Sequence, residues 1–122
     1  MSRCNLNYLT LKNPLQISQR RKHYRLVYPV GYGPKLFING RQFNVMDISE
    51  SGIRFDNPNL IHIPEDLVVA VIQLKHDRGH IKIVGRINRR QHTQVVLQLI
   101  LGVPYNEILL EQIFLRKVQK NI

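Results

Sequence analysis

Over most of the chain, apolar and polar residues come in short runs with strand-like alternation, separated by clusters of turn formers. Leu26, Val27, Tyr28 and Val30 carry strand chemistry and precede the breaker cluster Gly31-Tyr32-Gly33-Pro34, which predicts a bulge or bend. Residues 35–38 and 41–46 flank Asn39-Gly40, a pair that tolerates the positive φ angles of a two-residue hairpin turn. A turn over 47–52 then leads to a short strand at 53–55, ended by Asp56-Asn57-Pro58-Asn59. After the loop containing Pro64-Glu65-Asp66, the β-branched run 67–74 predicts a strand buried on much of both faces. Asp77-Arg78-Gly79 turns the chain into 80–88, where Ile81, Ile83 and Ile87 alternate with Lys82 and Arg86, and where Val84-Gly85 interrupts the alternation as a bulge does. Residues 89–92 read as a polar turn and 93–101 as a further strand. Short strands at regular spacing imply a mainly β fold with a closed or nearly closed antiparallel sheet.

The pattern changes at Gly102-Val103-Pro104, which breaks the last strand. Residues 105–119 are helix formers, with Glu107 and Glu111 early and Arg116, Lys117 and Lys120 late, as the helix dipole favours. On a helical wheel Leu109, Leu110, Ile113, Phe114 and Val118 share one broad side, the side expected to lie on the sheet. Ile108 and Leu115 fall nearly opposite, seven apart; they are expected to be either scattered exposed residues or a stripe that meets a partner, such as a second copy in a homodimer. At the other end, residues 1–19 have no sustained period and read as a flexible N-terminal arm, which leaves 20–122 as one domain.

With 122 residues the chain holds one ordinary core. Its longest apolar runs, 67–74 and 95–101, fall short of the roughly 20 residues that a membrane helix needs. The first residues lack the continuous apolar region of a secretory signal, so the expected location is cytoplasmic. Cys4 is the sole cysteine and has no second thiol with which to form a disulfide or share a metal. Charge adds more: the net charge is +10, and every charged residue before Asp47 is a cation, namely Arg3, Lys12, Arg20, Arg21, Lys22, Arg25, Lys35 and Arg41. Anionic partners follow, whether DNA, RNA, anionic lipid or nucleotide, set against the plainer reading of a solvated basic surface.

Two stretches narrow that choice. Arg20-Arg21-Lys22-His23-Tyr24-Arg25 holds four Lys or Arg side chains in six residues just before a strand-like run. That charge is too costly to bury unpaired, so it belongs at a surface facing an anion. Asp47-Ile48-Ser49-Glu50-Ser51-Gly52 offers a carboxylate, hydroxyls and a glycine at a turn, a set suited to hydrogen bonding a polar ligand edge. In order, R-x-x-x-R at Arg21 and Arg25 followed by D-x-S-x-x-G at Asp47, Ser49 and Gly52 resembles the two-part signature of the PilZ domain, the bacterial receptor module for cyclic di-GMP. The resemblance spans the chain from Arg20 onward. It implies a six-stranded antiparallel β-barrel, about 24–101, with a C-terminal α-helix.

The resemblance further implies a ligand-binding set of Arg20, Arg21, Arg25, Asp47, Ser49 and Gly52, with cyclic di-GMP as ligand and no cofactor. The chemistry fits: an arginine fork pairs with phosphate or with O6 and N7 of guanine, and a carboxylate accepts from guanine N1 and N2 hydrogens. Arg20, just before the motif, resembles the family members that hold two mutually intercalated ligands, so two cyclic di-GMP molecules per chain are expected. The implied output is a protein partner that responds when the N-terminal loop orders over the ligand. Other arrangements carry less. His76 and His80 flank a turn without a third ligand at matching spacing, so no metal site is expected, and Asp47 with Glu50 has no nucleophile or phosphate loop beside it, so no enzyme is expected. Arg86, Arg89 and Arg90 either extend the anion-binding surface or form a solvated hairpin end. The competing readings are a basic nucleic-acid-binding barrel, which lacks the solvent-facing aromatic pairs that stack bases, and a PilZ protein that works by protein contact without nucleotide.

Overall fold

The computed structural model describes residues 24–64 and 66–120. Its strands are β1 Leu26–Val27, β2 Lys35–Ile38, β3 Arg41–Ile48, β4 Gly52–Asp56, β5 Val68–Gln73, β6 His80–Gln91 and β7 Gln94–Leu101, followed by helix α1 Tyr105–Lys120. All pairings are antiparallel, and the order β3-β2-β5-β6-β7-β4 closes on itself through β3–β4, giving a six-stranded barrel with β1 added to β3. Alternate side chains fill the interior: Leu36, Ile48, Ile53, Phe55, Ile72 and Leu97 are all essentially buried. The expected arm over 1–19, together with Arg20 and Arg21, lies outside the described residues.

The hairpin at Asn39-Gly40 forms as its residues dictate, with φ of 50° and 79° matching the mirror-image turn that the strand twist requires. The β6–β7 register shifts at Val84/Gly85, where the alternation breaks, and shifts again between Ile87 and Arg89. Other expectations need correction. The strand at Leu26 ends after Val27 because Pro29 lacks an amide hydrogen and starts a turn in which Tyr32 donates to its carbonyl. β5 is buried on one face only: Val69 is half exposed, because its alternate side chains meet solvent outside the barrel. Residues 89–91 continue β6 as a polar outward ribbon, and the turn is confined to His92 and Thr93.

The helix is turned from the wheel reading, which leaves only Phe114 and Val118 of the expected side half-buried. Ile108 and Leu115 are buried against the barrel, whereas Leu109, Leu110 and Ile113 are 38%, 47% and 50% exposed. Ile108 and Leu115 are therefore unavailable to a homodimer. The buried stripe contains Glu111, fully enclosed between them. Its carboxylate accepts from the Tyr28 hydroxyl at 2.7 Å, from the Lys75 amide at 2.8 and 3.0 Å, and from the His76 amide at 2.9 Å, with His76 Nδ1 at 2.6 Å. These bonds offset the cost of enclosing a charge and clamp α1 onto the β5–β6 loop and the segment after β1. Burial and Glu111 push the Tyr28 phenol far above its ordinary pKa, so it remains a donor.

Candidate functional site

Asp47 is aimed by a defect in the ladder. On β3, Phe43 and Val45 point into the core, and strict alternation would send Asp47 inward as well. The β3–β4 register instead slips between Val45 and Asp47, so Met46 has no counterpart, Ile48 turns into the core opposite Ile53, and Asp47 turns outward opposite Arg54. Asp47 thus belongs to the end of β3, and the turn expected over 47–52 is shorter, at 49–51. On its other side Asp47 pairs with Val27 of β1, directly after Arg25.

The electrostatics follow from this placement. Asp47 is only 3% exposed although it faces outward, and Oδ2 is held by two Arg54 nitrogens, Nε at 2.8 Å and Nη2 at 2.6 Å. Arg54 Nη1 also lies 3.5 Å from the Gln94 side-chain oxygen on β7, a weak contact. Oδ1 has Arg25 Nε at 3.9 Å, a loose ion pair from a side chain that is 61% exposed. Oδ2 thus has two close donors, while among the described residues Oδ1 has only the loosely placed, exposed Arg25 guanidinium. Arg54 was not singled out from the sequence; the signal available was its place between inward Ile53 and Phe55, on the outer parity opposite the motif aspartate.

Ser49 and Gly52 close the turn. The Ser49 amide donates to the Gly52 carbonyl at 2.9 Å, while its hydroxyl lies 3.4 Å from the same oxygen, a weak contact that leaves the hydroxyl free for a better acceptor. Gly52 does not need positive φ here; a Cβ at this position would sit 3.3 Å from the Leu97 carbonyl and 3.8 Å from Ser49 Oγ, so the glycine serves close approach to β7. Continuing across the sheet, Gly52 pairs with Gln98 and Gln98 with Arg86, while Arg54 pairs with Val96 and Val96 with Arg89. Arg86 and Arg89 are exposed in the same cross-strand rows as the motif. Arg90 departs from them: it reaches the Ile63 carbonyl at 3.4 Å and lines a cleft with Asn57, Leu60 and His92 at the far end of β4.

Of the expected ligand set, Arg25, Asp47, Ser49 and Gly52 converge on one outer shelf of the barrel, with Arg20 and Arg21 upstream of it in the chain. The shelf joins a carboxylate held by Arg54 to the exposed Arg25 guanidinium. In a comparison with known families, a family model described as the PilZ domain matches residues 19–115. No individual curated protein matches the chain.

Proposed function

The chain belongs to the PilZ domain family, a family of cyclic di-GMP-binding and signalling modules rather than catalysts, and from that premise we propose that it is a cyclic di-GMP receptor. The observation that supports this reading is the Asp47 carboxylate, held on Oδ2 by Arg54 and beside the exposed Arg25 on Oδ1. In the proposed complex Arg54 keeps the carboxylate edge-on to the shelf, and Oδ1 accepts from the guanine N1 and N2 hydrogens that no adenine offers. Arg25 leaves its loose contact to pair with phosphate or the guanine Hoogsteen edge, and Arg21 acts with it. Arg86 and Arg89 add positive potential along the rim.

A route for the signal supports the same reading. Arg25 leads directly into Leu26 and Val27, which pair with Ile48 and Asp47, and the next residue, Tyr28, bonds to Glu111 of α1. A ligand that draws residues 20–25 over the shelf therefore acts on the segment that anchors the helix, and we propose that a protein partner reads the result. No helix among the described residues is long and apolar enough to cross a membrane.

Calorimetric titration tests the assignments. A charge-assisted bidentate contact is worth about 1.5–3 kcal/mol, so Arg21→Ala and Arg25→Ala are each expected to weaken cyclic di-GMP binding by about ten- to a hundredfold, with little change in thermal stability. Unchanged affinity in a folded variant removes that arginine from the site. The same titration reads stoichiometry: two intercalated dinucleotides present four phosphate charges that Arg20 helps neutralise, so two ligands per chain are expected, falling to one in Arg20→Leu. An equivalence point of one for the unaltered chain contradicts the paired ligand.

A further inference from the structure

Glu111 has a consequence on its outer side. The His76 ring lies between two carboxylates, with Nδ1 2.6 Å from Glu111 and Nε2 3.1 Å from Glu107. Glu111 is enclosed and surrounded by donors, so Nδ1 carries the hydrogen and donates it to Glu111. That leaves the Nε2 lone pair aimed at a Glu107 oxygen. Nε2 and that oxygen face each other across 3.1 Å, close to the separation of two ligands bound to one metal ion.

We propose that His76 Nε2, Glu107 and Asp77 form a site for a divalent transition metal ion of the Zn2+ class. The three side chains place one ligand atom each within 4.8 Å of one another. Two ligands bound at about 2.0–2.1 Å in a tetrahedral shell are separated by about 3.4 Å, close to the existing His76–Glu107 distance, so the exposed Asp77 makes most of the adjustment. The buried Glu111 supplies what metal-binding histidines commonly have, a carboxylate on the other ring nitrogen that fixes tautomer and orientation. It is itself held by Tyr28 and two backbone amides, so the imidazole is positioned before any ion arrives. An imidazole with two carboxylates suits Zn2+ and its neighbours better than Mg2+ or Ca2+, which favour all-oxygen sets. The first turn of α1 disfavours a cation by roughly half a charge, and the three carboxylates outweigh that. A cavity of about 190 Å3 lined by Asp77, His80 and Glu107 adjoins the site and leaves room for water at a fourth position. The third ligand was invisible in sequence because Glu107 lies 31 residues from His76 and meets it only when α1 docks.

Titration of the full chain, freed of any affinity tag, with Zn2+ tests this. One ion per chain is expected, with affinity reduced at least tenfold in Glu107→Gln and in Asp77→Asn, side chains outside the core whose loss leaves the fold intact. Co2+ in place of Zn2+ is expected to give visible d–d absorption that both substitutions abolish, a signature that a structural ion pair does not produce. Absence of saturable binding overturns the proposal. Affinity unchanged in both variants, or lowered by His62→Gln or His92→Gln instead, overturns it as well.

Discussion

Replacing Glu111 by alanine is expected to lower folding stability by about 3–5 kcal/mol, the range for breaking one side of an enclosed charged cluster. The substitution leaves the Tyr28 hydroxyl, the Lys75 and His76 amides and the His76 ring without their acceptor. It also opens a void between Ile108 and Leu115 at the helix–barrel contact. For a domain of this size each kcal/mol moves the melting temperature by roughly 3–5 °C, so a fall of about 9–25 °C should appear in a thermal scan. Tyr28→Phe removes one bond to the same carboxylate and is expected to cost about 1.5–3 kcal/mol. A loss below about 1 kcal/mol in Glu111→Ala shows that the cluster does not anchor the helix.

The largest effect on binding is expected from Asp47→Asn. The amide keeps the size of the carboxylate but loses its charge, and its NH2 meets either Arg54 or the guanine hydrogens, all of them donors. Losing two charge-assisted acceptor contacts is expected to weaken cyclic di-GMP binding about a hundredfold or more, roughly 3 kcal/mol. Arg54→Ala frees the carboxylate to rotate without removing it, so its expected loss is smaller, about tenfold. The ordering distinguishes reading from positioning: if Arg54→Ala abolishes binding while Asp47→Asn stays within about twofold, the arginine and not the aspartate contacts the ligand.

Much of the barrel is legible along the chain because its signals are local. Asn39-Gly40 carries the φ preference of its turn, and Val84-Gly85 breaks a period of two where the register shifts. The helix face was not legible, since the wheel weighs apolar content and the buried stripe contains a glutamate whose partners come from residues 28, 75 and 76. Val69 misleads for a related reason: the outside of a small barrel bears apolar side chains without a covering layer. At the site, Asp47, Ser49 and Gly52 were legible as a motif, yet the means by which Asp47 faces outward was not. The bulge at Met46 has no marker residue, and Arg54 becomes its partner only through the register that the bulge sets. Glu107 and His76 share this property, being distant in sequence and joined by helix docking.

The proposed function is recognition of a cyclic guanine dinucleotide, not of phosphate charge in general, by the shelf formed by Arg25, Asp47, Ser49 and Gly52. It is tested most directly by calorimetry of the full chain against cyclic di-GMP, GTP and a short single-stranded oligonucleotide at two salt concentrations. The expected result is micromolar or tighter binding of cyclic di-GMP with weak or absent binding of the other two, and modest dependence on salt because guanine contacts share the energy with phosphate contacts. Binding to the oligonucleotide alone, falling steeply with salt, would contradict it and assign the net charge of +10 to nucleic acid.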